Sequence, residues 1–246
     1  MIELRSVRKA YNQGQHNELW AVDGIDLKLE DSRVTVFTGP SGSGKTTLLT
    51  LIGCLARPTE GRVALNGEDI SALPERFLTQ IRRHSFGFVF QRFNLIAGLS
   101  VRENVMLPAY PLGGDHKALA KRADELLEQL GLLERASFKS EWLSGGEAQR
   151  TAVARALIND PEVIIADEPT ANLDTHLSRE FLTIMESLVG QGKRILMTSH
   201  DPLVYDSNLV ERRIAMRDGR LVEPALEPIA EPGSESIAEP IVEPVA

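Results

Sequence analysis

The stretch Gly39-Pro40-Ser41-Gly42-Ser43-Gly44-Lys45-Thr46-Thr47 decides the fold, because it joins a β-rich run, 34–38, to a helix-like run, 46–55. It matches the pattern G-x-x-x-x-G-K-[ST], which requires that strand-to-helix context. Its glycines let backbone N–H groups point at phosphate oxygens, and the helix adds the positive end of its dipole. A plain Gly/Ser-rich turn is the alternative, but it leaves the flanking strand and helix unexplained. We therefore predict a phosphate-binding loop, in which Lys45 reaches the β- and γ-phosphates and Thr46 offers its hydroxyl to Mg²⁺.

Two carboxylates follow a run of four apolar residues, 163–166. Such a run is typical of a strand that is buried on both faces of a parallel sheet. At its end, Asp167 would lie beside the phosphate loop and hold Mg²⁺ through its water shell, and Glu168 would polarise an attacking water as a general base. The pair could instead cap a following helix, but its combination with the loop at 39–47 favours the catalytic interpretation.

A third stretch, Leu143-Ser144-Gly145-Gly146-Glu147-Ala148-Gln149-Arg150, precedes a helix-like run that we expect to reach Ile158. Ser144 suits the N-cap position, and the two glycines allow an anion to approach the backbone closely. An ordinary capped helix start is the alternative interpretation.

The rest of the body alternates β-like and helix-like segments. We predict strands at 62–67, 86–90 and 194–198, and a hairpin over 212–222 that turns at Asp218-Gly219. Between 91 and 143 the pattern is mostly helical, and within 117–131 one face is apolar. The sequence therefore predicts an α/β fold whose mostly parallel core sheet is interrupted by a helical insertion.

Composition narrows the functional classes. No run of about 18 apolar residues occurs that could span a bilayer, and the first residues lack the pattern of a secretory signal. The single cysteine, Cys54, cannot form an internal disulfide and lies in an apolar run, so we expect a buried thiol in a reducing cytosol. Without the six glutamates of 223–246, the net charge of −8 becomes −2, so no basic field suggests nucleic acid as a partner.

Residues 223–246 form a repeat of six four-residue units, each beginning with Glu, and Pro follows the Glu in five of them. Proline at this spacing opposes helix and favours extended backbone. We predict a flexible acidic tail after a folded body of residues 1–222. A solvated extension is favoured over a partner-docking segment.

In this order, the three motifs resemble those of ATP-binding-cassette (ABC) ATPases, in which the third, signature motif lies roughly twenty residues before the acidic strand. Four further positions fit the same resemblance. Gln91 is similar to the Q-loop glutamine, 171–174 to the D-loop, His200 to the switch histidine and Tyr11 to the aromatic residue that stacks on adenine. Glu147 and Ala148 depart mildly from the family pattern, in which Gln and a longer polar residue are common.

The resemblance implies a P-loop NTPase cassette with a mostly parallel core sheet, an antiparallel β subdomain and a helical signature-motif subdomain at about 92–158. Two copies would enclose two ATP molecules. Catalysis would fall to Lys45, Glu168 and His200, and Mg²⁺ binding to Thr46, Gln91 and Asp167. The nucleotide would contact Tyr11, Gly39, Pro40, Ser41, Gly42, Ser43, Gly44, Lys45, Thr46, Thr47 and Gln91 of one copy and Ser144, Gly145, Gly146 and Glu147 of the other.

The segments 88–95 and 103–108 are similar to ATPases of the lipoprotein-releasing and macrolide-exporting type. This resemblance implies an ATP-hydrolysing subunit on the cytoplasmic face of the membrane, working with separate integral membrane permeases in export or extraction. One alternative is a soluble ABC ATPase of translation or DNA repair. Another is an ATP-binding regulator without turnover, which the presence of Glu168 disfavours.

Overall fold

The computed structural model describes residues 1–30 and 32–222, which form two β-sheets and a set of helices. The predicted repeat at 223–246 lies outside the described residues. The strands are β1 (Ile2–Tyr11), β2 (Leu19–Leu29), β3 (Val34–Thr38), β4 (Glu60–Leu65), β5 (Glu68–Asp69), β6 (Phe86–Val89), β7 (Val163–Asp167), β8 (Arg194–Thr198), β9 (Arg212–Arg217) and β10 (Arg220–Val222). The helices are α1 (Lys45–Ile52), α2 (Glu75–Ser85), α3 (Val101–Met106), α4 (His116–Gln129), α5 (Gly145–Leu157), α6 (Thr175–Gly190) and α7 (Pro202–Tyr205).

The larger sheet has six strands in the order β10-β9-β3-β8-β7-β6, and all neighbours are parallel except the β9–β10 hairpin. Its central strands are buried on both faces. In β7, Ile164 and Ala166 enter one apolar cluster, and Val163 and Ile165 enter the other. This double burial explains the unbroken apolar run, and the mostly parallel core sheet is confirmed. The carboxyl ends of β3, β7 and β8 therefore lie at one edge.

The smaller sheet has four strands in the order β2-β1-β4-β5, and its three pairings are antiparallel. It shares an apolar cluster with α1 and with one face of the larger sheet, through residues such as Leu4, Ile25 and Leu48. The antiparallel β component that the resemblance implied is confirmed.

The helical part contains α3, α4 and α5, together with short 3₁₀ turns at Leu107–Leu112, Leu133–Arg135 and Ser140–Trp142. The helix predicted at 117–131 is present as α4, and its buried residues are Ala123, Leu126 and Leu127. The part of the chain that the structure describes contains no helix long and apolar enough to cross a bilayer.

One local prediction from the sequence is wrong. The helix predicted to reach residue 55 ends at Ile52, because Gly53 packs closely against Phe88 and Cys54 adopts φ 59°. The region 91–143 is mostly helical as predicted, and its non-helical start before Val101 is a loop in which Phe93 and Asn94 adopt left-handed backbone. Cys54 is buried as expected, and burial raises the pKa of its thiol to about 11.

Candidate nucleotide site

The phosphate loop connects β3 to α1 and lies against the backbones of two other strands. Gly39, Gly42 and Gly44 all have positive φ, at 142°, 79° and 98°. A Cβ at Gly39 would collide with the carbonyl oxygen of Met216, and one at Gly44 with that of Ala21. Both positions therefore require glycine for close approach as well as for their backbone conformation.

Polar groups are buried inside this loop. Lys45 is 7 % exposed, and its Nζ donates to the carbonyl oxygens of Gly39 (2.8 Å) and Pro40 (3.0 Å). Ser43 Oγ is buried and has no hydrogen-bond partner among the described residues. An unpaired buried hydroxyl is costly unless a ligand supplies the partner, so the loop fits an anionic group with several acceptor oxygens.

Thr46 and Asp167 meet where α1 begins and β7 ends. Thr46 Oγ1 donates to both carboxylate oxygens of Asp167, at 2.9 and 3.0 Å. Thr198, the last residue of β8, donates from its hydroxyl to Asp167 Oδ1 at 2.8 Å. A carboxylate and a hydroxyl in contact are hard oxygen donors, and Mg²⁺ is commonly held by one or two such groups plus phosphate oxygens. The donor set therefore fits Mg²⁺.

Glu168 is the residue after Asp167, and its carboxylate faces His200. Its backbone has φ 46°, a left-handed conformation that turns the chain away from β7. Its N–H donates to Thr198 Oγ1 at 2.8 Å. The carboxylate lies 2.8 Å from His200 Nδ1 and 3.9 Å from Lys45 Nζ, and its side chain is 15 % exposed. Glu168 is thus an oriented carboxylate beside two basic groups.

Two loops that the resemblance singled out are linked to each other. Gln91 is exposed just after β6, and its carbonyl oxygen accepts a hydrogen bond from Asn172 Nδ2 at 3.0 Å. Asp174 caps α6 by accepting from the N–H of Leu177. Within the described residues, the Gln91 side chain makes no hydrogen bond to Thr46 or Asp167.

The signature motif forms the N-terminus of α5. Ser144 is the N-cap, its Oγ accepts from the N–H of Glu147 at 3.3 Å, and Glu147 Oε2 accepts from the N–H of Ser144 at 2.8 Å. The hydrogen bond from the Ser144 N–H lowers the pKa of the Glu147 carboxyl most, with further contributions from the Ser144 hydroxyl and from Arg135. Across the described ranges, no hydrogen bond joins 144–147 to Lys45, Asp167 or Glu168, so one copy does not bring the two halves together.

Tyr11 lies at the end of β1, opposite Leu19 of β2. Its ring is 42 % exposed, and the ammonium group of Lys9 lies 5.5 Å from the ring centre. An exposed aromatic face of this kind is suited to stacking, although in the described part of the chain it makes no hydrogen bond with the phosphate loop.

Two supporting residues were missed by the sequence reasoning. Thr198 orients both Asp167 and the backbone of Glu168, and its position before Ser199-His200 at a strand end was the available signal. Gln149, which is 3 % exposed, donates from Nε2 to the carbonyl oxygen of Pro169 at 2.6 Å. It thereby connects the signature helix to the turn that carries Glu168.

Comparisons with known proteins agree with this geometry. The sequence profile described as "ABC transporter" matches residues 22–171. Macrolide export ATP-binding/permease proteins MacB are similar to the chain: that of Hyphomonas neptunium is 45% identical over 222 residues, which are 90% of this chain and 34% of that protein. That of Escherichia coli K12 is 39% identical over 93% of this chain and 35% of that protein. The chain therefore spans about a third of the length of these relatives.

Solved structures give the same result. The dimeric cassette MJ0796, a bacterial ABC transporter cassette by its description, is 38% identical, with a TM-score of 0.81 over 90% of this chain and 96% of that chain. The protein cbiO1 of Clostridium perfringens, described as part of an ABC transporter complex, is 26% identical with a TM-score of 0.78, over 90% and 86% of the two chains. These comparisons favour the transporter interpretation over a soluble factor of translation or repair. The chain belongs to the ABC transporter family, as an ATP-binding domain with the cassette fold.

Proposed function

We propose that this chain binds and hydrolyses ATP, pairs with a second copy around two nucleotides, and uses that cycle to drive a membrane permease. The observation that carries the proposal is the meeting of Thr46 with Asp167, and of Glu168 with His200, at one edge of the parallel sheet. A phosphate loop, a metal-binding carboxylate and an oriented base in one place are what water attack on a γ-phosphate requires.

Each residue has a defined part in this proposal. The N–H groups of 39–47 and the Lys45 ammonium hold the phosphates, and Tyr11 stacks on the adenine. Thr46, Asp167 and Gln91 hold Mg²⁺, which when bound neutralises charge on the phosphate oxygens. Glu168 orients and deprotonates the attacking water, and His200 contacts the γ-phosphate and holds the Glu168 carboxylate in place. Thr198 fixes the direction of Asp167.

The second copy supplies the remaining contacts. Ser144 and the glycines after it make no hydrogen bond to their own phosphate loop within the described residues, and the similar cassette MJ0796 is described as dimeric. We infer that each signature motif binds the ATP held by its partner. A lone copy would therefore bind ATP but hydrolyse it slowly.

The permease and the direction of transport are inferred from the relatives. Those that match over 90% or more of this chain carry names that combine ATP binding, permease and macrolide export. We propose that this chain acts at the cytoplasmic face of the membrane in an export system. Extraction of lipoproteins is the related function that the sequence resemblance also suggested.

Glu168→Gln tests the proposed base. The variant should bind ATP, lose at least about 100-fold in turnover because no group accepts the proton, and accumulate a dimer with ATP. Steady-state ATPase assays and light scattering after gel filtration measure both effects. Glu186→Gln, an exposed substitution on α6, is the matched control and should leave both unchanged. Unchanged turnover in Glu168→Gln would remove Glu168 from the proposal.

We also propose that residues 1–222 form the ATPase domain, which includes a helical subdomain at about 92–158, and that the repeat at 223–246 is not needed for ATP hydrolysis. Truncation after Val222 should leave ATP turnover within about twofold of the full chain, because the proposed site residues lie between 11 and 200. ATPase assays on the truncated and full chains measure this. A large loss of turnover in the truncated chain would mean that the Glu-Pro repeat contributes to ATP hydrolysis.

A further inference from the structure

Arg135 lies in the 3₁₀ turn Leu133–Arg135, between α4 and α5, and reaches the signature motif from outside. Its Nε donates to Glu147 Oε1 at 2.9 Å, and the centre of its guanidinium lies 4.8 Å from the ring centre of Phe138. The Phe138 ring in turn meets the exposed Trp142 edge-on. The guanidinium is therefore held between an aromatic face and a carboxylate, which limits its orientation.

Glu147 uses its two oxygens for different partners. Oε2 accepts from the N–H of Ser144, and Oε1 accepts from Arg135. Its side chain is 19 % exposed. A negative charge in the first turn of a helix is stabilising for the helix itself. In the proposed dimer, however, the same charge would face the triphosphate held by the other copy, and like charges at close range oppose binding.

A second serine-capped helix in this chain serves as an internal comparison. Glu103 closes the same kind of capping box with Ser100 at the start of α3, where no nucleotide is proposed. In the described residues, Glu103 forms no ion pair with an arginine, and the only basic side chain whose charge lowers the pKa of its carboxyl is that of Lys139. An arginine therefore pairs with the glutamate of the capping box that would contact phosphate, at Ser144, and is not a general feature of capping boxes in this chain.

We propose that Arg135 is a positioning residue for the signature motif, which cancels the charge of Glu147 and holds that carboxylate on the Ser144 amide. The inference rests on the proposed function, since it requires Ser144 to meet the nucleotide of a second copy. Arg135 itself does not contact the nucleotide. Arg135 acts on the phosphate indirectly, because it neutralises the Glu147 carboxylate. A glutamine at position 147 would be uncharged and would need no such counter-ion, so Arg135 is what makes a glutamate acceptable there.

The test compares Arg135→Gln, Glu147→Gln and the double variant, each placed in the Glu168→Gln chain so that the ATP dimer accumulates. The readout is the ATP concentration at half-maximal dimerisation, from light scattering. Arg135→Gln should raise it by up to about fivefold, since one surface pair contributes up to about fivefold and each of the two sites in the dimer binds one ATP. When Arg135→Gln is added to a chain that already carries Glu147→Gln, it should shift that concentration by less than about twofold, because no Glu147 charge is left to cancel and Gln can still close the capping box.

Two controls separate this role from folding and from general charge. Arg102→Gln removes a similar pair, Arg102 Nε to Asp124 Oδ1 at 2.6 Å, away from the signature motif, and should not shift dimerisation. ATP affinity of the monomer, measured with a fluorescent ATP analogue, should stay within about twofold in Arg135→Gln, because the monomer's own phosphate loop is untouched.

Three results would overturn the inference. If Arg135→Gln leaves the ATP concentration at half-maximal dimerisation unchanged, Arg135 has no positioning role. If Arg135→Gln raises that concentration equally in the parent and in the chain that carries Glu147→Gln, the effect comes from packing on Phe138 and not from the charge of Glu147. Equal loss in Arg102→Gln would make it a general charge effect. A Glu168→Gln parent that forms no dimer with ATP would instead contradict the proposed function itself, and the inference would fail with it.

Discussion

Two helices in this chain begin with the same motif, S-x-x-E, and among the described residues only one of them has acceptors for the N–H groups that follow its serine. Ser100 caps α3 with φ −67° and ψ 165°, and Ser144 caps α5 with φ −65° and ψ 165°. In both, the serine Oγ accepts from the N–H of the glutamate, at 3.2 and 3.3 Å, and the glutamate accepts from the N–H of the serine, at 2.7 and 2.8 Å. As local structures, the two caps are nearly identical.

The difference lies in what the next N–H groups meet. In α3, the N–H of Val101 donates to the carbonyl oxygen of Phe138 at 2.9 Å and that of Arg102 to Ala136 at 3.0 Å, and Val101 is fully buried. In α5, the corresponding N–H groups of Gly145 and Gly146 have no acceptor among the described residues, and Gly145 is exposed whereas Gly146 is buried. The capping box therefore only stabilises the first turn of a helix. An anion can bind there when the following N–H groups have no acceptor and the residues that carry them have no side chain in the way.

The strongest test exchanges the residues that follow the two serines. Replacing the exposed Gly145 by Val, with Gly146 kept because a side chain there would collide with Leu177, should lower ATP turnover at least about 100-fold. The Val side chain would cover the N–H group that stabilises the phosphate. The double change Val101→Gly and Arg102→Gly should instead cost roughly 3 kcal/mol of stability, by cavity formation and helix propensity. ATPase assays and urea unfolding measure the two losses, and turnover that survives the first exchange would remove the contrast between the helices.

Single serine replacements should separate capping from nucleotide contact with less disturbance. Ser144→Ala and Ser100→Ala should each destabilise the fold by about 1 kcal/mol, the usual cost of losing an N-cap. Only Ser144→Ala should also lower ATP turnover, by about tenfold or more. Thermal unfolding and ATPase assays on both variants decide this, and equal losses of turnover would mean that Ser144 acts through helix stability alone.

The smallest expected effect is on the pH dependence of the stability that the two capping-box glutamates contribute. Hydrogen bonds from the Ser100 hydroxyl and N–H lower the pKa of Glu103, and the Ser144 N–H lowers that of Glu147. A lowered pKa contributes stability above the usual range of a carboxyl group, and this stability is lost as the pH falls through the lowered pKa. The melting temperatures of Glu103→Gln and Glu147→Gln should therefore approach that of the unmodified chain as the pH falls below about 4. A constant gap from pH 7 to pH 3 would contradict the charge-based explanation for that box.

Much of the parallel sheet could be predicted, because its strands are continuous apolar runs. Each run identifies a strand from its own residues, without knowledge of the strand it pairs with. The run 163–166 and the glycine loop at 39–47 combine period, length and turn chemistry in a few adjacent residues. Elements that depend on distant contacts were predicted less well. The loop around Phe93 and Asn94 is held by buried Arg155, which donates to the carbonyl oxygen of Asn94 at 2.6 Å, and by Asn104, which binds the backbone of Ile96. Neither contact has a signal in the local sequence.

By itself, the sequence determined the phosphate loop, the strand that presents Asp167 and Glu168, and the helix start at Ser144, because glycine freedom, apolar runs and capping chemistry act within a few residues. Only the tertiary structure decided that Thr198 would orient Asp167, that the N–H groups at the start of α3 would be occupied by carbonyl oxygens, and that those of α5 would stay open. Every residue except proline carries the same backbone N–H donor, so which of these donors remain available depends on what the folded chain places in front of them.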